Sequence, residues 1–242
     1  MIRRWFLAAD AHLDEGISLE YLLFKKITKA IEPYGVCLVG DFGHMSSLSH
    51  WNEFKRKTSE GMRYRKECDI LNEELDFLQE NTKKIVYLEG NHEEWVEQYI
   101  EKHPQCENIL ELENMLRLKE RGVEWIRLNE LYKIGNLYIT HGMYVNQYHA
   151  KKHLDKLGCN IAYGHAHVAQ SHQQNQKMTV PYMAYSLPCL CGCGPDYLKG
   201  KPANWMSGFA DLWVDTKTGN FNLYPVNIID GTCILDGKLW RL

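Results

Sequence analysis

No stretch of this 242-residue chain is apolar for long enough to span a bilayer, which takes about 20 residues. The expectation is a soluble, cytoplasmic protein. It contains no low-complexity tract and no internal repeat, which sets aside linkers and solenoids. Charge of either sign is not in excess: 28 basic against 31 acidic residues leave a formal −3. That balance argues against a general nucleic-acid binder, although local basic patches stay open. The eight cysteines, at 37, 68, 106, 159, 189, 191, 193 and 233, lack the spacing of a small disulfide scaffold. Several fall in apparent core strands, so reduced thiols are expected. The run Cys189-Leu190-Cys191-Gly192-Cys193 lacks the two-residue spacer of structural zinc sites and reads as an irregular loop after a strand. The apolar start, Trp5 to Ala9, is too short for the core of a signal peptide and runs straight into Asp10.

What the chain does have is a set of short motifs in order: Asp10-Ala11-His12, Gly40-Asp41, Gly90-Asn91-His92-Glu93, His141-Gly142 and Gly164-His165-Ala166-His167. They supply oxygen donors at Asp10, Asp41 and Asn91 and imidazoles at His12, His141, His165 and His167. Carboxylates suit hard cations and imidazoles suit transition metals, so the mixture points to two neighbouring divalent ions: Mn first, with Fe, Zn, Co or Ni as alternatives. Two such ions can activate a water and hold a phosphoester.

Each motif follows a short apolar run: residues 5–9, 36–39, 85–88, 137–140 and 161–163. Runs of that length bounded by glycine or polar residues read as buried strands. In open α/β sheets, ligands bind beyond the carboxyl ends of the strands, so these loops can converge. Between them, residues 17–31 place Ile17, Tyr21, Phe24, Ile27 and Ile31 at helical intervals and stop before Pro33. Residues 92–102, 109–121 and 146–157 also read as helices. After His167, residues 168–187, 208–215 and 221–230 read as strands, with a hairpin turn at Thr216–Asn220. The class is α/β, with a second, largely antiparallel sheet expected to pack on the first.

These motifs resemble the calcineurin-like metallophosphoesterases, whose pattern is D-x-H, G-D, G-N-H-[ED], H and G-H-x-H, and more closely the compact bacterial and phage members. The resemblance implies two facing mixed β-sheets flanked by helices, a four-layer sandwich, over a single domain of residues 1–242. It implies one metal held by Asp10, His12, Asp41 and His167, and another by Asp41, Asn91, His141 and His165, with Asp41 bridging. His92 would hydrogen-bond the phosphate and protonate the leaving oxygen, with Glu93 near its ring. The implied mechanism is in-line attack by a metal-bridging hydroxide on a phosphomonoester or phosphodiester. The Gly-Asp motif lacks the Asp-x-x-Asp-Arg-Gly form of protein Ser/Thr phosphatases, and Leu13 stands where they have glycine after the first histidine.

Residues 45–84 form a helical, partly basic insertion. Trp51, Phe54, Lys55, Arg56, Lys57, Arg63, Tyr64, Arg65 and Lys66 interleave rings with cations. Two readings stay open: an arm that grips a phosphodiester backbone and stacks on bases, or a solvated helix pair, since Glu60, Glu67, Glu73 and Glu74 intervene. His44 is near enough to Asp41 in sequence to reach substrate. His50, His103, His149, His153 and His172 read as ordinary surface or core residues. Tyr197, Lys199, Lys201 and Trp205 lie after the cysteine run without a spacing that demands contact. A nucleic-acid nuclease using the same centre is the alternative function. From another class, a catalytically silent metal-binding scaffold is the third.

Overall fold

The strands and helices follow one another in the order expected of alternating units. They are β1 (Ile2–Ala8), α1 (Leu19–Ile31), β2 (Gly35–Val39), α2 (Arg56–Ser59), α3 (Tyr64–Asn81), β3 (Lys84–Leu88), α4 (Glu94–Lys102), α5 (Leu112–Met115) and β4 (Glu124–Ile126). There follow β5 (Tyr132–Ile134), β6 (Leu137–Thr140), α6 (His149–Leu157), β7 (Ile161–Tyr163), β8 (Gln170–Gln174) and β9 (Tyr182–Ser186). The last are β10 (Gly208–Asp215), β11 (Phe221–Asn227), β12 (Thr232–Leu235) and β13 (Lys238–Arg241). The structure is a computed structural model that describes residues 1–175, 181–192 and 203–242.

The described strands form a six-stranded sheet in the order β11-β10-β1-β2-β3-β4, a five-stranded sheet β5-β6-β7-β9-β8, and the small pair β12-β13. Both large sheets are mixed. β1 to β4 run parallel while β10 and β11 are antiparallel additions. In the second sheet β6, β7 and β9 are parallel, and β5 and β8 are antiparallel edges.

The two-residue period of the strands makes the layers. In β1, Phe6 and Ala8 face the helical side and pack with Phe24, Ile27, Leu71 and Leu75. The alternate residues Trp5 and Leu7, with Cys37, Val39, Val86 and Leu88, meet Leu137, Ile139 and Ala162 of the second sheet. On the far side of that sheet, α6 lays Ala150 and Leu154 against Ile161, Tyr163 and Ala184. Helices, sheet, sheet and helix are therefore four layers. Because both faces of β2 and β3 are buried, these strands are apolar from Val36 and Ile85 onward rather than alternating.

Caps mark helix ends where the sequence supplies them. Ser18 accepts from Tyr21 N at 3.0 Å and starts α1 two residues later than the apolar period alone suggests. α6 ends at Gly158 in the left-handed conformation, φ 61°.

Two expectations are corrected. Residues 109–121 are not one helix: α5 covers Leu112–Met115, and Arg117 turns the chain through a left-handed conformation, φ 53°. Leu116 and Leu118 are both fully buried, and residues two apart cannot share one helical face. The strands expected within 168–187, 208–215 and 221–230 do not form a sheet of their own. β8 and β9 join β6 and β7, whereas β10 returns antiparallel to β1, where Arg4 grips Asp211 through two 2.8 Å bonds.

The 45–84 stretch divides as well. α3 is a crossover helix between β2 and β3, with Tyr64, Cys68, Leu71, Leu75 and Leu78 in the core. Tyr64 is anchored by its hydroxyl on Leu110 O at 2.8 Å. Residues 44–62 alone make an excursion at the sheet edge. Among the described residues no helix is long and apolar enough to cross a membrane.

Candidate metal centre

β1, β2, β3, β6 and β7 all end at the same edge of the sandwich, and the motif loops leave from those ends. They are fastened to one another by main-chain bonds. Asp10 N donates to Gly40 O (3.1 Å), His12 N to Asp41 O (3.0 Å), Gly164 N to His141 O (2.8 Å) and Leu190 N to Ala9 O (3.0 Å). Loops from both sheets are thus joined into one floor.

The floor is strained. Asp10, His12, Asp41, His165 and His167 all sit at positive φ, between 47° and 65°. Asp and His adopt this region more readily than most residues, yet such positions still cost energy and cluster where function requires them. Space is equally tight: a Cβ on Gly90 would lie 2.1 Å from Asp41 Oδ1, and one on Gly40 would lie 2.2 Å from His141 Nδ1.

On this floor Asp10, His12 and Asp41 bring donor atoms within 4.8 Å of one another, and so do Asp41, His141 and His165. Asp41 is common to both groups. Its Oδ2 lies 3.4 Å from His141 Nε2 and 3.9 Å from His92 Nε2, while Oδ1 accepts from His92 N at 3.0 Å. Asp10 accepts from His165 N at 3.0 and 2.9 Å and has His167 Nε2 at 3.5 Å. Asn91 Oδ1 lies 3.0 Å from His141 Nε2. All seven sequence-designated residues are therefore gathered at one place.

Hydrogen bonding decides which nitrogen of His141 faces the centre. A carbonyl only accepts, so Nδ1, 2.9 Å from Val39 O, carries a proton and Nε2 is the nitrogen that faces Asp41 and Asn91.

The charges fit cations. Asp10 and Asp41 are 0% and 1% exposed, and among the described residues neither pairs with a lysine or arginine. Burial disfavours a charged His141, but Asp41 outweighs it and pushes the pKa up to about 10. At His167 burial is likewise outweighed by Asp10, raising it to about 9. Asp41 is held well below the carboxylate range by His141 and His92, against the effect of its own burial. Burial lowers His12 and His165, keeping them neutral and able to donate lone pairs. Two buried carboxylates neutralised by imidazoles are what a pair of divalent ions could replace.

Glu93 braces the floor rather than touching the His92 ring. Its carboxylate accepts from Asp41 N (2.9 Å), Gly90 N (2.9 Å), Gly43 N (3.1 Å) and Tyr87 Oη (2.8 Å). One side chain thus ties the β2 loop to the β3 loop. His44 lies beside the centre, with Nδ1 3.0 Å from His12 Nδ1 and Nε2 3.2 Å from Glu15. Burial, with help from His92, lowers its pKa to about 3.

Several contributors carry little sequence signal. Cys189 bridges Ala9 and Ser207, and Cys191 Sγ lies 3.8 Å from His167 Nδ1, so the cysteine loop abuts the centre. Cys193, Tyr197, Lys199 and Lys201 lie outside the described residues. The Trp95 ring lies tilted against His92 at 4.1 Å, and the three-residue spacing at a helix start was the available clue. His153, buried in α6, accepts from Met143 N at 3.1 Å and steadies the His141 loop; nothing in the sequence points to it.

Comparison with known proteins agrees with this geometry. The curated gene 54 protein of Mycobacterium phage L5 is 28% identical over 172 residues, 64% of this chain and 65% of that protein. The match thus spans about two thirds of that relative's length. Vacuolar protein sorting 29 from Cryptosporidium parvum superposes with a TM-score of 0.53 at 14% identity, covering 98% of this chain and 94% of that one. Vps29 of Entamoeba histolytica, in complex with Zn2+, gives 0.50 at 12% identity, covering 99% and 98%. At these identities the likeness is one of fold. The family model for calcineurin-like phosphoesterases matches residues 7–186, which hold every motif described above. The chain belongs to the calcineurin-like phosphoesterase family.

Proposed function

We propose that the chain is a metal-dependent hydrolase of phosphoesters working at a binuclear centre. The observation that carries this reading is the pair of buried carboxylates, Asp10 and Asp41, which among the described residues are balanced by imidazoles without a lysine or arginine. One ion would be held by Asp10, His12, Asp41 and His167, the other by Asp41, Asn91, His141 and His165. Divalent ions there would lower the pKa of a water to near neutrality and offset the charge of the phosphate. Mn2+ suits the mixed donors, with Fe, Zn, Co or Ni as alternatives. Asn91 contributes a neutral oxygen, so the centre keeps enough positive charge to hold an anion.

His92 supplies the proton. Its Nδ1 is committed to His44 O at 3.0 Å, leaving Nε2 on the side of Asp41. From there the imidazolium form, protonated on both nitrogens, donates Nε2–H to a phosphate oxygen and passes that proton to the leaving alkoxide, which leaves the neutral ring with its proton on Nδ1. Trp95 and His44, at ring distances of 4.1 and 4.2 Å, hold the imidazole between them.

A silent scaffold would be expected to have lost a ligand or His92, and this chain retains them all. The test is hydrolysis of bis-p-nitrophenyl phosphate and p-nitrophenyl phosphate by metal-stripped protein titrated with Mn2+. Turnover that rises with two equivalents of metal supports the reading. Two bound metals without turnover on either ester would overturn it.

A further inference from the structure

An unbroken row of rings crosses the centre and runs out to the surface. From His92 the ring centroids step 4.1 Å to Trp95, 5.8 Å to His50 and 4.6 Å to Trp51. In the other direction they step 4.7 Å to His12, 5.4 Å to His167 and 4.2 Å to Trp205. The imidazoles of the centre thus lie between two aromatic flanks. One flank opens to solvent, where Trp51 is 65% and Phe54 91% exposed.

Cations continue from that end. Lys55, Arg56 and Lys57 are all exposed, and among the described residues none of them forms an ion pair. Nearby Glu53 is taken up by Lys102 at 3.4 Å. Three adjacent unpaired cations stand out in a chain of formal charge −3.

Single exposed aromatics are ordinary. A run of them that is continuous with a phosphate-handling histidine and ends on free cations has a more specific chemistry. Flat rings stack on bases, and the sequence-independent affinity of nucleic acid comes from cations on phosphates. A duplex keeps its bases stacked on one another, so a ring row suits an unpaired strand.

We propose that residues 50–57, with Trp205, form a track for single-stranded nucleic acid that feeds a phosphodiester to the centre, the buried Trp95 joining His50 to His92. The proposal rests on the hydrolase reading and narrows its substrate to a diester with a base on each side of the scissile phosphate. One base would stack at His50 and Trp51, the other at Trp205, while Lys55, Arg56 and Lys57 would take successive backbone phosphates. An apolar tip flanked by cations would also suit an anionic membrane. The continuity of the rings with His92 favours the strand, because a lipid surface would use the exposed tip alone.

The test is fluorescence anisotropy of a labelled dT12 oligonucleotide with the full chain in chelator, so that binding is read without turnover. Replacing Trp51 and Phe54 together by Ala should weaken binding roughly 5- to 150-fold for each base that loses its stack. Replacing Lys55, Arg56 and Lys57 by Ala should reduce the slope of log affinity against log salt by about 2. These side chains are exposed, so an unchanged thermal midpoint serves as the folding control. Equal affinity of the Trp51/Phe54 variant, equal affinity for the duplex, or binding of phosphatidylserine vesicles in place of the oligonucleotide would overturn the track. Wild-type protein that hydrolyses bis-p-nitrophenyl phosphate yet ignores dT12 sinks this inference alone. Protein that binds dT12 but hydrolyses nothing sinks the hydrolase reading instead.

Discussion

His92 Nδ1 donates to the main-chain oxygen of His44 at 3.0 Å, and that bond fixes the tautomer of the histidine beside the metal floor. A carbonyl cannot donate, so Nδ1 must carry a proton and Nε2 is the atom that faces Asp41. The bond also gives His44 a part through its backbone: the loop after Asp41 sets the angle at which the β3 loop presents the His92 ring.

His92→Ala should therefore leave both metals in place and remove the proton donor. Turnover of bis-p-nitrophenyl phosphate with Mn2+ is expected to fall by roughly 10²- to 10⁴-fold. Metal content by mass spectrometry should be unchanged. Turnover at the wild-type rate would dismiss the role.

Asp41→Asn should weaken both metals together, because Oδ2 lies toward His141 and Asp41 belongs to both donor groups. Equilibrium dialysis against Mn2+ reads the stoichiometry. Loss of one ion with the other retained would contradict the bridge.

Glu93→Gln is nearly isosteric yet should be costly. The carboxylate accepts from three main-chain N–H groups and the Tyr87 hydroxyl. An amide NH2 in place of either oxygen would point hydrogens at donors, and each buried donor left unsatisfied costs about 1–3 kcal/mol. Denaturant unfolding should show at least about 2 kcal/mol lost, and Mn2+ affinity should fall with it. A fully stable variant would mean that the loops hold without the brace.

His153 gives a pH dependence whose sign can be worked out. Its Nδ1–H donates to His149 O at 2.8 Å and Nε2 accepts from Met143 N at 3.1 Å, so the neutral ring is fully used. The ring also stacks on Tyr163 at 3.8 Å. Burial, aided by His149, His165 and Lys152, lowers the pKa from 6.5 to about 4. The unfolded chain takes up the proton first as pH falls. The contribution is thus complete above pH 6.5 and is lost progressively toward pH 4, up to about 3 kcal/mol. His153→Phe keeps a ring on Tyr163 but cannot titrate, so its unfolding free energy in chelator should vary less across that window. A slope identical to wild type would exclude His153 as a source.

The strand-end motifs are legible in the sequence because each is local. A run such as Val36–Val39 is buried on both faces, and the residue that follows it must leave the sheet, so the local pattern alone puts Asp41 at a sheet edge. The 109–121 segment is not legible in that way. Its leucines match a helical period, yet Leu116 and Leu118, two residues apart, are both buried, which one helical face cannot achieve.

Donor types, their order and their positions after strands were determined by the sequence itself, because ligand chemistry and strand period belong to single residues and near neighbours. Tertiary structure alone decided which strands pair and which rings meet. The pairing of β10 with β1 brings Arg4 to Asp211 at 2.8 Å, and the ring row has His50 meeting Trp95 across two loops. Such contacts join residues distant in the chain, and their energies exist only once the sheets have packed.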